Sequence, residues 1–386
     1  MIEGRTILCF ASGYDAPPTS KHHVMHLLAE RNVVLWVNYH ASRAPSASGS
    51  DMLYMARKLW QVAEGLHSPR RNLFVLTPLV APLPSSPAAM RLNRALLVAQ
   101  VRSALARVRR GPLQVWTFTP DIGYVLDEFA AEAVVYYCVD DHSMFTGYDT
   151  ARVLAEEQDL CRRADLVVTT SSVLQEAKRG FNPNTVLVPH GVDYEHFARA
   201  TRDNLPEPPD LAGIPRPRLG FFGLIRDWVD VELCAAIARR RPEWRFVWIG
   251  DATFDLSEHR ALPNMHFLGR RPYESLPAYC RGFDVGLIPF RVNELTKAVN
   301  PIKLREYLAA GLPVVSTPMP EVRLYEHLIR VADGEAEFEA ACAAALQDNA
   351  PSARRARCEA MRSETWPAKV EAIGAELGAA GLGDAR

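Results

Sequence analysis

The chain has 386 residues, 48% of them hydrophobic and 23% charged, with a formal net charge of −1. That length sets two domains as the prior, and the composition supplies two apolar cores and excludes a mainly disordered chain. A charge this close to zero removes the global basic field that nucleic-acid binding uses, so nucleic acid is not an expected partner.

Seven cysteines are scattered along the chain and none forms a C-x-x-C pair. This pattern suggests neither a disulfide framework nor a metal site, and it fits a reducing cytosol. The first apolar run, residues 6–11, is short and reads as a β-strand rather than a signal peptide. No stretch approaches the ~18 apolar residues of a membrane-spanning helix. A cytoplasmic protein follows, one that meets a membrane only by lying on it.

In chain order, strands are expected at residues 6–11, 33–38, 73–77, 115–118, 133–139, 166–170 and 185–188, with helices at 22–31, 90–110 and 151–164 between them. Such alternation indicates an α/β fold with parallel sheets covered by helices. Residues 198–218 (ARATRDNLPEPPDLAGIPRPR) carry five prolines and read as an interdomain linker. The alternation then restarts, with strands at 218–222, 245–249, 265–268, 285–289 and 313–316 and helices at 229–240, 274–280, 301–310 and 335–347. A helix from Trp366 closes the chain. The expected boundaries are 1–200 for the first domain and 215–365 for the second, with the terminal helix 366–380 packing back on the first. Two doubly wound, Rossmann-like domains would face a central cleft at the C-terminal edges of their sheets, where open α/β sheets bind ligands.

The most informative segment is residues 300–318, NPIKLREYLAAGLPVVSTP. Asn300 is a good N-cap, Pro301 suits the first turn, and Gly311 stands where a C′ glycine ends a helix. The N-terminus of such a helix presents unpaired N–H groups and attracts anions. Lys303 in the first turn works against the helix dipole, which makes sense beneath a phosphate. The other reading is a solvated Lys303 that pairs with Glu306, three residues on and on the same face.

This segment resembles the donor-binding signature of GT-B glycosyltransferases, especially the group 1 family. There a glutamate ahead of an A-A-G-x-P-V-V run binds the donor ribose. It is also similar to the K-L-x-x-Y-x-x-x-G-L-P pattern of xanthan glucuronosyltransferase, whose lysine contacts the donor diphosphate. The resemblance implies that Glu306 accepts the ribose hydroxyls and that Lys303 neutralises phosphate or a sugar carboxylate, with Asn300 beside them. Group 1 enzymes carry a second glutamate eight residues earlier, where this chain has Ala298.

Residues 219–230 (LGFFGLIRDWVD) resemble the group 1 diphosphate loop, which implies a close approach at Gly223 and a phosphate contact from Arg226. The competing reading pairs Arg226 with Asp227 or Asp230. Residues 264–290 resemble the base-holding segment, which implies that the loop 269–271, with Gly269 and Arg270, faces the nucleobase. No G-x-G-x-x-G occurs, which argues against a dinucleotide oxidoreductase.

In the first half, the strand of VVYYCVDDHSMFTGY runs into Asp140 and Asp141, where a carboxylate can take a proton from an acceptor hydroxyl. We expect Asp141 to be the working group and Asp140 to support the loop; a turn or capping cluster is the alternative. Residues 188–197 resemble group 1 sequences, with His190 where an asparagine is usual, and serve mainly as a fold marker. Weaker acceptor-side candidates are Gly13 and His22 in the opening loop. Residues 90–110 hold six arginines and no acid, a face suited either to anionic lipid or to solvent.

The resemblance implies a metal-independent glycosyltransferase without cofactor. It would move a sugar from a UDP- or GDP-sugar to a glycan or lipid-linked acceptor in cell-surface polysaccharide or glycolipid biosynthesis, at the inner face of a bacterial membrane. A nucleotide-sugar epimerase of the same fold and a non-catalytic nucleotide-binding partner are the alternatives.

Overall fold

The computed structural model describes residues 2–39, 60–80, 87–145 and 148–382. The chain forms two compact units, one of Met1–Pro189 and the other of His190–Ala368, and the chain from Lys369 groups with the first.

The first unit is built on an eight-stranded sheet. Its strands are β1 (Thr6–Ala11), β2 (Val33–Asn38), β3 (His67–Arg70), β4 (Leu73–Leu76), β5 (Leu113–Thr117), β6 (Ala133–Cys138), β7 (Leu166–Thr169) and β8 (Thr185–Leu187). Their spatial order is β3-β4-β2-β1-β5-β6-β7-β8. All neighbours pair in parallel except β3 with β4. β1 and β2 are buried at every residue, as expected of strands covered by helices on both faces. β3 (HSPR) has no apolar run and is held instead by a tight turn at Asn72, whose φ is 59°. Hydropathy therefore gives no sign of it.

The second unit has β9 (Arg218–Phe222), β10 (Arg245–Ile249), β11 (Met265–Gly269), β12 (Val285–Ile288), β13 (Val314–Ser316) and β14 (Arg330–Val331), ordered β11-β10-β9-β12-β13-β14 and all parallel. Each sheet has a point where the strand order reverses: β1/β5 in the first and β9/β12 in the second. The carboxyl ends of the strands at such points are where open sheets take ligands.

The Pro-rich stretch 198–218 differs from the expected linker. The second unit begins at His190, and the helix Tyr194–Arg202 runs into this stretch. Ion pairs fasten the rest to the same unit: Arg218 to Glu207, and Arg271 to Asp210, which also accepts from Tyr279 at 2.7 Å. Proline here limits helix length without making the segment a free tether, because its charged side chains find partners.

A buried polar knot ties β6 to two helices in the first unit. Glu157, on the helix Thr150–Arg163, accepts from Tyr136 and from Lys178, both at 2.5 Å; Lys178 lies on the helix Ser172–Arg179. Both charged side chains are almost fully buried. Removing one partner strands the other charge, so Lys178→Met is expected to lower stability by about 3–5 kcal/mol in urea unfolding. The double variant Glu157→Leu/Lys178→Met is expected to recover most of that loss. Equal midpoints for wild type and the single variant would show that the knot contributes nothing.

Candidate active site

The β9/β12 switch point of the second unit gathers most of the donor-side candidates. The helix Ile302–Ala309 is buried along its length except at Ile302 and Lys303. Its C-terminus closes as a Schellman motif: Gly311, at φ 74°, donates to the Leu308 carbonyl at 2.8 Å, and Leu312 donates to Tyr307 at 2.9 Å. Its start differs from expectation. Pro301 stands at the N-cap, and the Asn300 side chain is drawn inward, accepting from Arg305 at 2.6 Å and donating to Glu321 at 3.2 Å. Arg305 is only 1% exposed, and a buried guanidinium must be hydrogen-bonded, which takes Asn300 out of capping.

Tyr307 fixes this helix to the sheet. The Phe222 N–H donates to its hydroxyl at 3.0 Å, and its ring packs where only a glycine, Gly286, leaves room: a Cβ there would lie 2.8 Å from the ring. Lys303 is thereby laid across Gly223, 3.2 Å from where a Cβ would stand. Its ammonium sits 5.2 Å and 4.9 Å from the ring centres of Phe221 and Phe290.

Gly223 is braced by two further glycines. Gly250, at φ 143°, approaches so closely that a Cβ would meet the Gly223 carbonyl oxygen at 1.9 Å, and its N–H donates to the Gly269 carbonyl at 3.0 Å. Gly223, Gly250 and Gly269 all have positive φ and stand at the carboxyl ends of the adjacent strands β9, β10 and β11. They give a stretch of bare backbone beside Lys303. Arg270 is exposed next to Gly269, whereas Arg271 is committed to Asp210 and Tyr279.

Glu306 is buried and Lys303 partly so, yet among the described residues no contact ion pair joins them and the Glu306 carboxylate has no hydrogen-bond partner. Burial raises the Glu306 pKa to about 7, with Lys303 opposing and Asp193 adding. Burial lowers that of Lys303 to about 8, with Glu306 opposing. The two groups therefore act on each other by charge without a contact ion pair. Arg226 lies 4.7 Å over the Trp228 ring, and its buried Nε has no hydrogen-bond partner among the described residues. Asp230, the acid offered as its mate, instead caps the helix Val231–Arg240 at Leu233. Ala298 is buried as the C-cap of the short helix Glu294–Lys297, while Glu294 is exposed and pairs with Lys297 at 2.7 Å.

The first unit holds a cavity of about 400 Å³ at its own switch point. Ser12 follows β1, Tyr39 follows β2, Phe118 and Asp121 follow β5, and Asp140 and His142 follow β6; Lys21, Arg152 and Glu156 complete its polar wall. The two adjacent aspartates are placed differently. Asp141 accepts from the N–H (3.1 Å) and hydroxyl (2.5 Å) of Ser143 and so caps the turn His142–Met144. Asp140 lines the cavity. Burial raises its pKa, with His142 and Lys21 pulling it back and Asp141 adding.

In the opening loop, Gly13 and His22 both lie off this cavity. His22 is buried as a structural group: its Nδ1 accepts from the Thr19 N–H at 3.1 Å and its Nε2 meets the Tyr14 carbonyl at 3.0 Å. Burial, then Lys21, lowers its pKa to about 3. Gly13 does not line the cavity either; Lys21, which donates to Ser12, does. His190 opens the second unit with its ring 5.8 Å from that of Trp366, and Gly191 lies directly under the Trp366 backbone. Among the described residues no group of three His, Cys, Asp or Glu is placed to hold a metal ion.

Three signals were missing from the sequence reading. Gly250 and Tyr307 are legible only once strand neighbours are known. Asp121 was available in principle, as an acid directly after a strand.

Residues 216–348 match the family model of glycosyl transferases group 1. TuaH of Bacillus subtilis (strain 168), which bears the name of a teichuronic acid biosynthesis glycosyltransferase, is 27% identical over 275 residues, 65% of this chain and 68% of that protein. Sucrose-phosphate synthase from Thermosynechococcus elongatus superposes with a TM-score of 0.69 at 16% identity, covering 97% of this chain and 100% of that one. HepE from Anabaena, solved in complex with UDP-glucose, gives 0.65 at 16% identity, covering 97% and 100%. Residues 216–348 are thus similar to the group 1 glycosyl transferases, and the two parallel-sheet units share the GT-B fold of these solved structures.

Proposed function

We propose that the chain moves a sugar from a UDP- or GDP-sugar, held by the second unit, to a glycan or lipid-linked acceptor bound by the first, in the synthesis of a cell-surface polysaccharide or glycolipid. The observation that carries this reading is the pair of desolvated, unpaired charges Lys303 and Glu306 on bare glycine backbone at a switch point. The HepE complex holds UDP-glucose and the TuaH name concerns teichuronic acid biosynthesis, and both support this reading.

In this reading Lys303, Arg226 and the N–H groups at the start of the helix Ile302–Ala309 meet the donor diphosphate. Glu306 accepts both ribose hydroxyls, and the Gly269–Arg270 loop faces the base. As the acceptor oxygen bonds to the anomeric carbon, the bond to the diphosphate oxygen breaks. The nucleoside diphosphate leaves with its new charge met by Lys303 and Arg226, and the acceptor proton passes to Asp140. These cations take the place a divalent ion would fill.

A nucleotide at 100 times its Kd adds about 2.7 kcal/mol of stability. One of UDP or GDP is expected to raise the wild-type Tm by a few degrees and to leave Lys303→Ala and Glu306→Gln unmoved. An equal shift in both variants would remove the donor site from this helix. For the acceptor side, Asp140→Asn is expected to lower kcat by about 10²–10⁴ at unchanged Tm. Asp141→Asn should lose about 1 kcal/mol of stability and little kcat. The opposite pattern would return the base to Asp141.

A membrane surface is the second part of the proposal. No helix among the described residues is long and apolar enough to cross a membrane. In the helix Pro87–Val108, Arg94 and Arg102 are taken up by Glu128 while Leu97, Val101 and Leu105 enter the core. Met90 and Leu92, however, are about half exposed on either side of Arg91. Apolar side chains beside arginine suit the interface of an anionic bilayer. Wild type is expected to sediment with phosphatidylglycerol vesicles at low salt and Met90→Ser/Leu92→Ser to stay in solution; equal sedimentation of the two would end this part.

A further inference from the structure

The cavity of the first unit contains one group that the proposed chemistry does not use. Asp121 is only 6% exposed, lines the cavity, and neither of its carboxylate oxygens accepts a hydrogen bond in ordinary geometry among the described residues. Its neighbours, Tyr39 and Arg152, offset its burial only in part. The Tyr39 hydroxyl reaches the Asp121 backbone carbonyl at 3.5 Å and the Tyr124 hydroxyl at 3.3 Å. Arg152 is turned to Glu156 at 2.8 Å. A buried, unpaired carboxyl is expensive to keep, and burial together with Glu156 raises its pKa to about 7.

The charge balance around it is one-sided. The wall carries Asp121, Asp140, Asp149 and Glu156 against Lys21 and Arg152. Arg152 is matched by Glu156 and reaches Asp121 only through its field, and Lys21 stands by Ser12 and acts on Asp140, so among the described residues no cation forms an ion pair with Asp121. An anion entering here would meet uncompensated negative charge in a low-dielectric wall. Hydroxyl groups would supply the missing donors, and the rings of Tyr39 and Phe118 offer apolar surface for the body of a sugar.

We propose that Asp121 is the specificity-determining residue of this cavity: it accepts hydroxyls of an uncharged sugar ring and turns away a ring bearing a carboxylate or phosphate. The inference rests on the reading of this cavity as the acceptor side, and it deepens that reading by naming the acceptor's chemistry. The terminal sugar of the acceptor is then neutral even where the finished polymer is acidic, and acidic sugars enter on the donor or in another step.

The test uses the full chain without nucleotide and matched methyl glycosides: methyl glucoside and methyl N-acetylglucosaminide against methyl glucuronide and methyl glucoside 6-phosphate, with binding read by ligand-observed NMR titration. Wild type is expected to bind at least one neutral glycoside about tenfold or more better than the anionic ones. Asp121→Asn, which keeps the side-chain shape, is expected to fold with a Tm no lower than wild type and to erase most of that difference, weakening the neutral ligand and not the anionic one. Asp121→Ala, folded by the same criterion, should behave alike. Anionic glycosides that bind wild type as well as neutral ones would overturn the proposal, as would a neutral-to-anionic ratio unchanged in Asp121→Asn. No binding of any glycoside while nucleotides still stabilise the protein overturns it and leaves the donor reading standing. Asp121-dependent sugar binding without any nucleotide effect does the reverse.

Discussion

One small contact positions the candidate donor site: the hydroxyl of Tyr307 accepting the Phe222 N–H where β9 ends. That amide would otherwise be an orphan at a strand terminus, so satisfying it is obligatory, and a phenol on the helix Ile302–Ala309 satisfies it. The ring reaches it because Gly286, in the neighbouring strand β12, presents no Cβ in its path. With Tyr307 fixed, the helix has one rotation about its axis. Lys303, four residues earlier, then lies over Gly223, and Glu306 is carried into the wall. The Schellman closure at Gly311 fixes the other end. Neither charged residue is held by a partner of its own, so their placement is inherited from an aromatic residue that has no chemistry to perform.

The same logic shows why much of the fold was legible in the sequence and parts of the site were not. Strands such as 6–11, 33–38, 218–222 and 245–249 are apolar runs buried on both faces, and burial of that kind leaves a direct compositional trace. Two-residue β14 and the polar hairpin strand β3 leave none, being defined by neighbours rather than by their own side chains. For the site, Lys303, Glu306 and Arg226 are expected from the resemblance of residues 300–318 and 219–230 to the group 1 donor-binding segments. The choice between Asp140 and Asp141 was not legible in this way. It turns on Ser143, whose N–H and hydroxyl capture Asp141 and so leave Asp140 to the cavity. Asn300 failed in the same manner, since a buried arginine five residues on outbid the helix terminus for its side chain. Local propensity ranks what a residue does well, while the fold decides which of several suitable partners it meets.

Both sheets place their candidate groups at a switch point, but with opposite electrostatics. In the second unit the groups left without protein partners are mainly cationic, Lys303 and the Arg226 guanidinium, with one carboxylate beside them. In the first unit the surplus is acidic, and its two arginine and lysine members are already engaged. A diphosphate and a hydroxyl nucleophile call for just this division: positive charge where negative charge accumulates on departure, negative charge where a proton is to be drawn off. Were the signs alike, one substrate or the other would be repelled from its own half.

The position of Ala298 bears on how this division is used. In the group 1 pattern a carboxylate stands there; here a methyl group is buried in the C-cap of a short helix whose capping box, Asn293 with Thr296, is fully formed. The segment is therefore well ordered without that glutamate rather than frayed by its loss. Glu294, the nearest acid in sequence, points to Lys297 and solvent and does not replace it. With no carboxylate at that point, Glu306 is the acid nearest to the Lys303 ammonium in this helix, and the field at the switch point is more positive than a second glutamate would leave it.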